Sequence, residues 1–302
     1  MIDRLHTLLQ NPRIGPILIG RALNRVYHTC GGQQSCNPNG TNVLDEAWDN
    51  LVILDACRFD FFKDYADELP GRLESITSIG SGTPEFIRGT FSGRHENDLV
   101  YVTANPWWEF LSEEIQSEVH DFVNLEQYDC QDNVFDVELP DQVADFALDV
   151  AEDYPNKRLL VHFNQPHHPH IGPTGLSLFG PGSGNSLLYD ASQANPARSD
   201  LRRSYRENLE AAIPEVERLI NELPGKTVVT ADHGEMLKDR NSPIPFIDYG
   251  HDPGLYLPEL VDVPWFVGEF EERKKITAEE NEQIRRNERA ARERLTKLGY
   301  ID

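Results

Sequence analysis

The chain has 302 residues, 39% of them apolar, enough for one large α/β domain or two smaller ones. Its 51 acids against 28 bases leave a net charge of −23, and the bases divide into 7 lysines and 21 arginines. A surface this acidic repels nucleic-acid phosphate, which excludes nonspecific DNA or RNA binding. No apolar run approaches the roughly 20 residues of a membrane span. No long apolar segment followed by a small-residue cleavage site marks an export signal, so the expectation is a cytoplasmic protein.

Residues 1–28 read as one or two helices. Leu5, Leu8 and Leu9 give one apolar face, and Pro16 can open a second helix with Ile19, Leu23 and Val26 at i, i+4, i+7 spacing. With Arg13, Arg21 and Arg25 this is the only basic amphipathic stretch of the chain. Two readings stand: a helix docked on the domain, or a membrane-surface or partner contact that makes the protein membrane-associated. Residues 29–47 are rich in Gly, Asn and Gln and read as a loop, so residues 1–47 form an N-terminal extension. Cys30 and Cys36 flank part of that loop; a zinc site there would need two further ligands. The four cysteines, Cys30, Cys36, Cys57 and Cys130, make no disulfide framework in a chain of this length.

From 48 to 270 strands and helices alternate. Strands are expected at 51–55, 98–103, 158–164, 226–231 and 263–268, with helices near 58–68, after Thr83, near 140–153 and near 200–222. Alternation of this kind predicts crossover units and a mostly parallel central sheet with helices on both faces, a three-layer α/β sandwich. Residues 165–198, rich in Pro, Gly and Ser, read as a lid or substrate-binding insertion. Residues 271–302 read as a C-terminal surface helix, with Ile284, Ala291, Leu295 and Leu298 as its narrow apolar stripe.

The chemistry gathers at strand ends. Lys226-Thr-Val-Val-Thr-Ala-Asp-His-Gly-Glu235 carries an apolar strand into Asp232-His233-Gly234, a carboxylate beside an imidazole. Leu51-Val-Ile-Leu-Asp55 delivers a second carboxylate, and Leu159-Leu-Val-His-Phe-Asn164 runs into Gln165-Pro-His-His-Pro-His170. Asp248-Tyr-Gly-His-Asp252 precedes another apolar strand. Asp and His together make a partial ligand set for zinc or a similar divalent ion, and open α/β sheets bind ligands at carboxyl strand ends. A strand-end Asp that merely caps the next turn is the plainer reading of any one cluster.

In the order of these parts the chain resembles the alkaline phosphatase superfamily, in particular its sulfatase-like branch, over roughly residues 48–268. The parts are the Asp55 strand; the turn Ser81-Gly-Thr-Pro-Glu-Phe-Ile-Arg88 followed by Ser92-Gly-Arg94; Pro166-His-His-Pro169; Asp232-His233-Gly234; and Gly250-His251. The resemblance implies an alkaline-phosphatase-like fold and one or two divalent cations (Zn, Mn, Mg or Ca). It implies Asp55, Thr83, Asp232, His233 and His251 as metal ligands, with Thr83 as nucleophile and Ser81 as the fallback. For a second metal it points to Asn164, His168 and His251; with an amide at Asn164, His168 and His251 can contact substrate oxygens instead. Thr83 can equally cap the following helix.

Arg58 and Arg88 are anion clamps or salt-bridge partners. The implied substrate is an anionic phosphate or, less readily, sulfate ester, because the turn holds no cysteine for conversion to formylglycine. A non-catalytic metal-containing binding protein and a phosphomutase or phosphoglycerol transferase are the alternatives. The acidic, lysine-poor composition resembles proteins of salt-loving archaea, where ionic strength screens self-repulsion.

Overall fold

The computed structural model describes residues 13–31, 35–128, 131–132, 134–181 and 186–278. The expected helix around Leu5, Leu8 and Leu9, residue Cys130 and the expected C-terminal helix past residue 278 lie outside them.

In chain order the described elements are α1 (Ile14–His28), β1 (Asn50–Leu54), α2 (Phe59–Phe62), β2 (Gly71–Thr77), α3 (Thr83–Phe91), β3 (His95–Thr103), α4 (Trp107–Ile115) and β4 (Glu118–Asn124). There follow α5 (Pro140–Asp153), β5 (Arg158–Phe163), α6 (Pro173–Phe179), α7 (Leu187–Ala194), α8 (Arg198–Glu222), β6 (Thr227–Thr230), β7 (Met236–Arg240), β8 (Ile247–Gly250), α9 (Pro258–Val261) and β9 (Asp262–Gly268).

Seven strands form one mixed sheet in the order β2-β9-β6-β1-β5-β3-β4. The run from β6 to β4 is parallel, and β9 is antiparallel to both β6 and β2. All five residues of β1 are buried, as a central strand covered on both faces requires. Its side chains alternate between two cores. Val52 and Leu54 pack with Val143 and Ala147 of α5 and with Leu201, Leu209 and Val216 of α8. Leu51 and Ile53 pack with Phe86 and Phe91 of α3 and Trp108 and Leu111 of α4. The fold is therefore the three-layer α/β arrangement that the alternation predicts.

Elements missing from the sequence reading have physical reasons to be faint. Edge strand β2 is mostly exposed, and edge strand β4 carries Glu118, His120 and Asp121 among its apolar residues. β7 and β8 pair only with each other in a short hairpin, away from the main sheet. The 165–198 stretch holds α6 and α7 in place of a structureless loop.

Register positions the functional ends. β1 pairs in parallel with β6, Ile53 opposite Thr230. Asp55 and Asp232, each two residues further on, thus leave the sheet side by side at its carboxyl edge.

Candidate active site

Asp55, Asp232 and His233 come together so that one ligand atom from each lies within 4.8 Å of the others. His233 Nε2 is 3.3 Å from Asp232 Oδ2, 3.5 Å from Asp55 Oδ1 and 3.1 Å from the Thr83 hydroxyl. Thr83 reaches this point as the first residue of α3, after the extended Gly82. Separations of 3.1–3.5 Å from His233 Nε2 to the three oxygens are close enough that one divalent cation could touch all four donors.

The protein pins the second polar atom of both carboxylates and of the imidazole. Asn105 Nδ2 donates to Asp55 Oδ2 at 2.7 Å, leaving Oδ1 toward the cluster. The backbone N–H groups of Ala56 and His233 donate to Asp232 Oδ1 at 3.0 and 2.9 Å, leaving Oδ2. Ala56 adopts a left-handed φ of 61° in making that turn. His233 Nδ1 lies 2.8 Å from the Gly234 carbonyl, which can only accept, so the proton sits on Nδ1 and Nε2 presents its lone pair. Gly234 N–H in turn donates to the Leu260 carbonyl at 2.8 Å, holding the loop against α9.

A second donor group adjoins the first. His167, Glu235 and His251 offer ligand atoms within 4.8 Å of one another, and the two Nε2 atoms of His167 and His251 are 3.1 Å apart. The His233 and His251 rings stand 4.2 Å centre to centre, joining the two groups. His167 is brought here because its N–H donates to the carbonyl of Asp55 at 3.0 Å. Arg21 of α1 makes a bidentate pair with Asp248 and donates to the Tyr249 carbonyl, anchoring the loop that carries His251.

The site is an excess of buried negative charge. Burial, then the charge of Asp232, push Asp55 well above the ordinary carboxylate range. Burial acts the same way on Asp232, but His233, His162 and the Ala56 N–H outweigh it and leave that group lowered. Burial raises Glu235 to about 7. Both Glu235 carboxylate oxygens, Asp55 Oδ1 and Asp232 Oδ2 are buried without a hydrogen-bond partner. Buried carboxylates are otherwise paired, hydrogen-bonded or bound to metal, so these orphaned oxygens with three imidazoles fit a divalent-cation centre. Behind them sits His162, fully buried and lowered to about 4 by that burial, with Nδ1 2.9 Å from the Tyr101 hydroxyl.

Of the residues expected from sequence, Asp55, Thr83, Asp232, His233 and His251 are brought together. His168 is not brought among them: its Nε2 meets Asp190 Oδ2 at 3.0 Å and its ring packs on Phe179 and His170. Neighbouring histidines on this turn face different sides, and only His167 faces His251. Asn164 Nδ2 donates to Glu138 at 3.0 Å, away from both groups. Arg58 is a buried salt-bridge residue, its guanidinium committed to Asp60, Asp239 and the Glu235 carbonyl. Arg88 pairs with Glu114. Neither arginine is placed as an anion clamp. Ser81 Oγ lies 2.9 Å from Glu85 and 3.1 Å from the Asp252 carbonyl, shaping the turn.

Glu235, His167 and Asn105 carried no assigned role in the sequence. Glu235 follows the Asp-His-Gly triplet directly, and Asn105 lies two residues past the strand predicted at 98–103, so each had a positional signal. The choice among three histidines had none.

No family model and no curated protein matches the sequence. Solved structures do. The chain is similar in fold to proteins of the alkaline phosphatase superfamily. The integral membrane lipooligosaccharide phosphoethanolamine transferase A of Neisseria meningitidis shares 10% identity over 72% of this chain at a TM-score of 0.44. The chain spans 47% of that protein's length. The C-terminal periplasmic domain of EcEptC from Escherichia coli, in complex with Zn, shares 15% identity, covering 74% of this chain and 72% of that one, at 0.42. An alkaline phosphatase superfamily protein of Vibrio parahaemolyticus shares 11% over 82% of this chain and 65% of that one, at 0.38. These likenesses concern the fold and say nothing of what this chain acts on.

Proposed function

We propose that this chain is a metal-dependent hydrolase or transferase of phosphoesters, with Thr83 as its nucleophile. The observation that carries the reading is the buried set Asp55, Asp232 and His233 with the Thr83 hydroxyl 3.1 Å from His233 Nε2. Asp55, Thr83, Asp232 and His233 would hold one cation, and His167, Glu235 and His251 a second. A donor set this rich in imidazole favours zinc over magnesium or calcium. A bound divalent cation supplies positive charge for the non-bridging ester oxygens and lowers the pKa of the threonine hydroxyl.

The chain's own residues do the rest. Thr83 Oγ would give up its proton to solvent water and attack phosphorus, forming an Oγ–P bond as the bond to the leaving oxygen breaks. The leaving alkoxide would take a proton back from solvent and depart as an alcohol. Water, or a second alcohol in a transferase, then attacks the phosphorylated Thr83 and restores its hydroxyl. Asn105 and the N–H groups of Ala56 and His233 keep the two carboxylates oriented throughout.

A non-catalytic metal-binding protein is the second reading. Its support in the sequence is the amide at Asn164, and Glu235 weakens it by offering a carboxylate to the second donor group.

Elemental analysis followed by a panel of aryl phosphomonoesters, phosphodiesters and sulfates tests the proposal. Thr83→Ala should lose turnover yet keep most of its metal, and Thr83→Ser should retain measurable activity. A dead Ser81→Ala beside an active Thr83→Ala moves the nucleophile two residues upstream. Activity in both alanine variants removes covalent catalysis altogether.

A further inference from the structure

The turn that follows β1 is held in a conformation its residues do not favour. Ala56 is fully buried and sits at a left-handed φ of 61°. For a residue with a Cβ that region is disfavoured against the right-handed one by a factor of roughly 5–30. Backbone in such a state persists only where the surrounding contacts over-determine it.

The peptide group between Asp55 and Ala56 shows what the turn accomplishes. Its N–H, that of Ala56, donates to Asp232 Oδ1 at 3.0 Å, the bond that leaves Oδ2 facing the first donor group. Its carbonyl, that of Asp55, accepts from the His167 N–H at 3.0 Å, the bond that brings His167 to the second group. One planar unit thus holds a residue of each donor group. Rotation of Ala56 to a negative φ swings that plane and withdraws both bonds together.

The group that closes the turn comes from α8. The Tyr205 hydroxyl donates to the Ala56 carbonyl at 2.7 Å and accepts from the Arg58 N–H at 2.9 Å. It bridges the two peptide groups as an ordered water does. Tyr205 is fully buried, its ring edge-on to Phe61 at 4.8 Å between centres.

We propose that Tyr205 is a positioning residue for both donor groups. By locking Ala56 left-handed it fixes the Asp55–Ala56 peptide, and through that peptide the directions of Asp232 and His167. The inference rests on the two-cation reading given above. It assigns a role at the centre to a residue that is not itself a donor and stands 149 positions along the chain from Ala56.

Zinc titration of the metal-free full chain, with melting in EDTA measured alongside, tests it. Tyr205→Phe removes the hydroxyl and keeps the ring. It should weaken zinc binding at both groups, each by roughly tenfold, because only molecules with the turn in place are competent to bind. Adding Ala56→Gly to Tyr205→Phe should restore affinity to within about threefold of wild type, since glycine takes the left-handed form without strain. A hydroxyl that serves stability alone would lower the EDTA melt without moving zinc affinity, and glycine would restore nothing. Unchanged affinity in a folded Tyr205→Phe, loss at one group only, or a double variant as weak as Tyr205→Phe would each overturn the proposal. Should Tyr205→Phe not fold, the double variant carries the same test: affinity near wild type upholds the proposal, and weak binding or failure to fold overturns it. A wild type that binds fewer than two zinc ions removes the two-cation reading and this proposal with it. A wild type with two zinc ions beside an unaffected Tyr205→Phe removes only the role of Tyr205.

Discussion

Replacing Gly234 by alanine tests how the Asp-His-Gly loop is held. The φ of Gly234 lies outside the left-handed region, so backbone strain is not the obstacle. The obstacle is space: an added Cβ would lie 2.2 Å from the Glu259 carbonyl oxygen and 3.1 Å from Arg58 Cγ. Backbone cannot yield as a flexible side chain does, so either the loop or α9 must shift. Overpacking of this kind costs about 1–3 kcal/mol, and weakening the Gly234 N–H to Leu260 bond adds about 1 kcal/mol. A total of about 2–4 kcal/mol lowers the melting temperature of a protein of this size by roughly 3–6 °C.

The same shift moves the Gly234 carbonyl that fixes the His233 tautomer. Loss of such a supporting bond weakens cation affinity by roughly 10–100-fold. Melts in EDTA isolate the packing cost, and zinc titration isolates the effect on the donors. An EDTA melt within about 1 °C of wild type would refute the packing argument, given the shift expected for even a small energetic cost. Unchanged zinc affinity would refute the link to His233.

Three further outcomes are expected. Asp232→Asn should abolish binding at the first donor group and Glu235→Gln should weaken the second selectively, read as separate losses in metal stoichiometry; loss of all metal from both variants alike would argue for a single shared site. In the metal-free protein Glu235 takes up its proton more readily folded than unfolded, because burial raises it from 4.5 to about 7. Its stabilising contribution is therefore complete below pH about 4.5 and lost as pH rises through about 7. That loss is about 3 kcal/mol in denaturation of EDTA-treated protein, and Glu235→Gln should flatten it. Finally, rising KCl should raise the melting temperature by screening a net −23; a flat or falling value up to molar salt would contradict adaptation to high salt.

The periodicity of the chain already contains five of the seven strands of the sheet, all but the edges β2 and β4. Short, uniformly apolar and β-branched runs such as Leu51–Leu54 read as central strands covered on both faces, and their alternation with helices implies a parallel sheet. Asp55 and Asp232 were legible as donors for the same reason, since each ends such a run and ligands gather at that edge. The acid–imidazole pair Asp232-His233 was legible because the two are adjacent in sequence. What lies outside that logic is direction and partnership. Whether His167 or His168 turns toward His251 depends on a hydrogen bond to the Asp55 carbonyl, a residue more than a hundred positions away. Arg58 looks like an anion clamp until Asp239, on a hairpin with no strong local signal, is folded against it. Glu235 becomes a candidate ligand only when the loops bearing His167 and His251 close over it. The outward face of α1 shows the limit most plainly. Spacing identified Ile19, Leu23 and Val26 as one stripe, but the buried Arg21–Asp248 pair turns that stripe to the outside. Hydrophobic pattern is a property of the segment; which side meets the domain is decided by the polar partners that the rest of the chain supplies.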